Sequence, residues 1–173
     1  MHAKEGPKAP PSEKVQSLYK NLSVAAKSLN AASDELGKAI SVFDAALQKL
    51  NLGISAWAEV SGGEEFPKWW GRYLGYARVG GNWGIAVKKA SGNYEFPEED
   101  SEEIWLFNDA PRWMRVEAVA RIPELLEALL RQAEETTKKI GERTTQAYEL
   151  AAAMSKAADE AQPAKEKADA RPA

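Results

Sequence analysis

Trp69 and Trp70 stand side by side in the run SGGEEFPKWWGR, with Phe66 three residues before them and Arg72 two residues after. Tryptophan beside arginine is the residue chemistry of a protein-interaction hot spot. The indole supplies a large rigid surface, and the guanidinium a planar fork of donors. Neighbouring side chains of an extended chain leave on opposite sides. One indole is therefore expected to pack inward, and the other to stay at the surface beside Phe66 and Arg72. Phe66, Trp69, Trp70 and Arg72 are the candidate partner-binding residues.

The other polar groups do not assemble into a catalytic set. The chain has no cysteine and a single histidine, His2, which removes thiolate chemistry, disulfides and a Ser-His-Asp arrangement from the folded region. The glycines of RVGGNWG match neither phosphate-binding pattern. The acidic run Glu98, Glu99, Asp100, Glu102 and Glu103 lacks the glycine of a calcium loop, and reads as a solvated loop guarding a sheet edge. Glu59, Glu64 and Glu65 lie near tryptophans, yet nothing in their spacing specifies a carboxylate pair for glycoside chemistry. On these grounds no enzyme activity, cofactor or metal is expected.

Aromatic and basic residues interleave in KWWGRYLGYARVGGNWGIAVKK (68–89), as on a nucleic-acid stacking surface. Local charge argues against that use. Residues 53–113 carry six Lys/Arg against ten Asp/Glu, net −4, and binding to a polyanion follows local cationic density. The whole chain is −3, which gives no pull toward nucleic acid or an anionic membrane. The first residues, MHAKEGPKAPPSEK, lack the apolar core of a signal peptide, and no apolar run reaches the roughly 20 residues of a membrane span. A cytoplasmic protein without a membrane segment is expected.

Two long helices are expected to position the candidate site. Residues 12–52 form the first, with Val15, Leu22, Leu29, Leu36, Phe43 and Leu50 recurring every seven residues. Leu18, Ala25, Ala32, Ala39 and Ala46 follow three places behind, a coiled-coil pattern. Residues 123–161 form the second, from Pro123 at a favoured first position. Its repeat is Leu126, Ala133, Ile140, Ala147 and Met154, interrupted by threonines at the companion positions. Two helices of matched length can fold back as an antiparallel hairpin. With Leu50 level with Leu126, the successive layers pair Phe43 with Ala133, Leu36 with Ile140, Leu29 with Ala147 and Leu22 with Met154. That register also brings Gly37 near Gly141. A two-helix stem leaves apolar surface over, so a homo-oligomer is expected through Val15, Leu22, Leu29, Leu36, Phe43, Leu50, Ile140 and Met154. Residues 1–11 and 162–173 are expected to be disordered tails.

Between the helices, residues 53–110 hold all but one of the six tryptophans and nine of the twelve glycines. ISAWAEV alternates as a strand does. Gly80-Gly81 is the two-residue turn of a hairpin that pairs Arg78 with Trp83, Tyr76 with Ile85 and Leu74 with Val87. One hairpin face then carries large apolar residues, and the other carries Gly75, Ala77, Gly84 and Ala86. A further strand, Glu103–Phe107, precedes a short helix (111–122) capped by Asn108 or Asp109. Trp113, Val116, Val119 and Ala120 of that helix are expected to cover the small-residue face.

The expected fold is α+β: a coiled-coil-like helical stem with an inserted antiparallel β head and a short covering helix. The expected function is a non-enzymatic interaction or adaptor protein, whose stem sets oligomeric state and whose head docks a protein partner. The alternative is a regulatory head in which the small-residue face and the tryptophans enclose a small molecule.

Overall fold

The computed structural model describes residues 11–161; the expected tails, apart from Pro11, lie outside that range. The fold is α+β. Helix α1 spans Pro11–Leu50. A four-stranded antiparallel meander follows, made of β1 (Ala56–Glu65), β2 (Lys68–Val79), β3 (Asn82–Asn93) and β4 (Ser101–Leu106), in spatial order β1-β2-β3-β4. A 3₁₀ turn leads to the short helix α2 (Arg112–Ala118), and a second joins it to helix α3 (Ile122–Ala161). Alanine and leucine make up about a third of each long helix, and such residues lose little side-chain freedom in that state. At the end of α1 the chain turns through left-handed conformations, at Asn51 (φ 48°) and Gly53 (φ 61°).

The β2–β3 hairpin has the expected register: Arg78 faces Trp83, Tyr76 faces Ile85 and Leu74 faces Val87. Gly80 and Gly81 both have positive φ (56° and 92°), as a turn matching the strand twist requires. The stretch from Ser61 to Arg72 is strand on both sides of a tight turn at Phe66 and cis-Pro67. Pairing continues to Glu65 opposite Lys68, with a bulge between Glu59 and Ser61. That bulge shifts the register by one residue, which masks the alternation in the sequence.

The core lies on one face of the sheet, where Ala56, Ala58, Leu74, Tyr76, Ile85 and Val87 meet Ile40 and Leu47 of α1, Phe107, Met114 and Ala118 around α2, and Leu125 and Leu129 of α3. Burying one such aliphatic side chain contributes about 1.5–3 kcal/mol. Helix α1 also docks by polar contacts. Asp44 Oδ1 accepts from Ile85 N–H, just beyond the end of the β3–β4 ladder, and Gln48 Nε2 donates to the Trp83 carbonyl (3.2 Å).

Helix α2 therefore packs on the large-residue face, correcting its expected place over Gly75 and Ala86. The sheet covers its small face with its own side chains. Trp57 stands directly opposite Gly75 and lies across it, leaving no room for a Cβ. Lys88 Nζ sits 4.5 Å from the Trp57 ring centre and 5.1 Å from that of Tyr73.

The paired layers expected of an antiparallel hairpin are not formed within the chain. Leu22 and Met154, which should have met, are 66% and 75% exposed, and Leu29, Leu50 and Ile140 are exposed as well. The reason lies in which face of α1 binds the sheet. Its buried residues are Gly37, Ile40 and Leu47, a stripe offset from the seven-residue repeat, so the repeat is turned outward except at Leu36, which packs partly buried against the core instead of waiting for another subunit. The close crossing of Gly37 with Gly141 is likewise absent. Gly37 accommodates the Asn108 side chain, whereas nothing lies within 4 Å of a Cβ built on Gly141.

Candidate partner-binding site

Successive residues of β2 leave on opposite faces, and each adjacent tryptophan lies over a glycine of a neighbouring strand. Trp70 stands opposite Gly63 of β1, and a Cβ there would sit 2.7 Å from the indole Nε1. Trp69 stands opposite Gly92 of β3 on the other face, with its ring 2.7 Å from the same imagined atom. With Trp57 over Gly75, three indoles are held flat by facing glycines. Such pairing restores packing that a strand glycine forfeits.

Arg72 follows Trp70 on the same face. Its guanidinium carbon lies 5.0 Å from the Trp70 ring centre and 4.9 Å from that of Trp113 on α2. Its Nη1 donates to Glu117 Oε2 at 2.7 Å. The cation thus bridges two indoles and is neutralised by a carboxylate one helical turn beyond Trp113. Contacts of this type contribute about 0.5–1 kcal/mol each at exposed sites. Helix α2 is held in turn by Arg112 to Asn30 Oδ1 and Arg115 to Ser33 Oγ, both 2.8 Å.

Trp70 is 45% exposed and Trp113 50% exposed, and Val116 of α2 is exposed too. Phe66, at the β1–β2 turn, is also exposed and stacks on Tyr94 with ring centres 6.4 Å apart. The structure brings Trp70 and Arg72 into one cluster and leaves Phe66 outside it, at the β1–β2 turn. Trp69 is on the opposite face. Trp113 and Glu117 complete the cluster; the sequence does not show this, because both lie some forty residues beyond Arg72 and meet it only through packing of α2 on the sheet.

A second concave feature lies at the other end of the sheet. It is a cleft of about 480 Å³ lined by residues including Asp44, Gln48, Trp83, Gly84, Asn108 and Asp109. Burial raises the Asp44 carboxyl above its ordinary range, and the hydrogen bond from Ile85 opposes that shift. Of the four small residues expected to border a ligand, only Gly84 reaches this cleft. Gly75, Ala77 and Ala86 are buried. Among the described residues no group of three or more His, Cys, Asp or Glu converges as a metal site would require, and no helix is long and apolar enough to cross a membrane.

The chain matches no known family model, no curated protein and no solved structure.

Proposed function

We propose that this chain is a non-enzymatic interaction protein whose β head docks a protein partner through Trp70, Arg72 and Trp113, with Phe66 at the rim. The helices carrying the seven-residue repeats act as an assembly stem. The observation that carries the reading is the Trp70–Arg72–Trp113 stack, in which two half-exposed indoles are locked around one neutralised arginine. A partner meeting this patch gains aromatic area and arginine donors that are already ordered, so little side-chain freedom remains to be lost on docking.

The test is a photo-reactive benzoylphenylalanine placed in α2 at Val116, beside Trp113, and as a control at Ile104 on the opposite sheet face. Irradiation in the native host should give a discrete protein adduct from position 116 and none from 104. Equal labelling at both positions, or none at 116, would remove the docking role from this face.

A further inference from the structure

Every residue of α1 from Pro11 to Ala32, and of α3 from Thr137 to Ala161, is exposed. Helical stretches of this length owe most of their stability in water to packing of an apolar face rather than to propensity. Both stretches carry such a face: Val15, Leu22 and Leu29 on α1, Ile140 and Met154 on α3, all more than half exposed. The threonines that interrupt the α3 repeat do not break it. Thr137 and Thr144 donate their hydroxyls to the Ala133 and Ile140 carbonyls, both at 2.8 Å. Their polar atoms are satisfied within the helix, so each threonine costs the seam little.

We propose that these two faces are covered by a second copy of this chain, with α1 of one copy seated on α3 of the other. This rests on the reading of the helices as an assembly stem and names what they assemble with. Two observations select that occupant. The large apolar side chains left exposed along both repeats amount to roughly 1,000 Å² on each copy, so a pair would bury about 2,000 Å², the upper end of a standard stable interface. The charges choose the pairing. Over their full lengths α1 holds five lysines against four carboxylates, net +1, whereas α3 holds eight carboxylates against five cations, net −3. Seating α1 on the partner's α3 joins opposite signs; α1 on α1 would join like signs. The same large-on-small layers that are absent within the chain, Leu22 with Met154 and Leu29 with Ala147, are available between copies.

Sedimentation equilibrium on the full chain tests this with two double variants, Leu22→Lys/Leu29→Lys and Ile140→Lys/Met154→Lys. All four positions are exposed, so tryptophan fluorescence should report an unchanged head in each. The unaltered chain should associate at micromolar concentration, and each variant alone should sediment as a monomer. An equimolar mixture of the two should associate again, because one intact seam of α1 on α3 is restored. A monomeric unaltered chain, a variant that still associates alone, or a mixture that stays monomeric would each overturn the proposal. A failed docking patch would not alter any of these masses, so the two readings fail separately.

Discussion

The guanidinium of Arg72, in the second strand, lies 4.9 Å from the ring centre of Trp113, in a helix reached some forty residues later. This contact ties the sheet to α2 and gives the exposed face its order. Replacing Arg72 by lysine keeps the charge but loses the planar fork that stacks between rings. Arg72→Lys should lower stability by about 1 kcal/mol or less, and Arg72→Ala by about 1–2 kcal/mol. Urea titration followed by far-ultraviolet circular dichroism measures both.

Gly63 makes room for Trp70, so it controls the patch without belonging to it. Gly63→Ala places a Cβ within 3 Å of the indole, and the ring must move. A near-ultraviolet dichroism change and a red-shifted emission are expected, with a stability loss of about 1–3 kcal/mol. An unchanged aromatic spectrum would contradict the packing described for Trp70.

Asp44 separates a hydrogen-bonding role from a charge. Asp44→Ala leaves the Ile85 N–H without its acceptor and should cost about 1–3 kcal/mol. Asp44→Asn keeps an oxygen there and should cost less. The carboxyl is held above its ordinary 3.8 chiefly by burial, so the folded chain binds this proton more tightly than the unfolded chain. Its contribution to stability therefore falls as pH rises from 3.8 through the raised folded value, and is level above it. The difference in unfolding free energy between the parent and Asp44→Asn, measured from pH 3 to pH 7, should have that slope. A flat difference would remove the burial cost assigned to Asp44.

The two glycines inside helices should respond differently to alanine. Gly141 faces open space, and Gly141→Ala should favour helix by about 0.5–1 kcal/mol, seen as higher helicity on warming. At Gly37 a Cβ would sit 2.7 Å from Asn108 Oδ1. Gly37→Ala should therefore gain less, or destabilise.

Much of the head was legible because its turn chemistry is local. Gly80-Gly81 sets the hairpin, and the alternation around it sorts Leu74, Tyr76, Ile85 and Val87 onto one face. The long helices were legible by repeat, but their placement was not. A seven-residue stripe marks a face that wants cover, whereas the sheet took the neighbouring face carrying Ile40 and Leu47. Half of the candidate site came through in Trp70 and Arg72. The rest was hidden because Trp113 and Glu117 reach Arg72 only through tertiary packing. Facing pairs such as Trp57 with Gly75 and Trp70 with Gly63 carried the missing signal: each glycine opposite an indole is a place for that ring to lie, not a vacancy for a ligand.

The most direct measurement of the docking role is the affinity of the cross-linked partner, once purified, for the parent chain and for Trp70→Ala and Trp113→Ala. Loss of one anchoring indole at a hot spot costs about 2 kcal/mol or more, so each substitution should weaken binding by roughly thirtyfold in a chain that is still folded by far-ultraviolet circular dichroism. Equal affinity for the parent chain and for both variants would contradict the assignment of this face as the docking site.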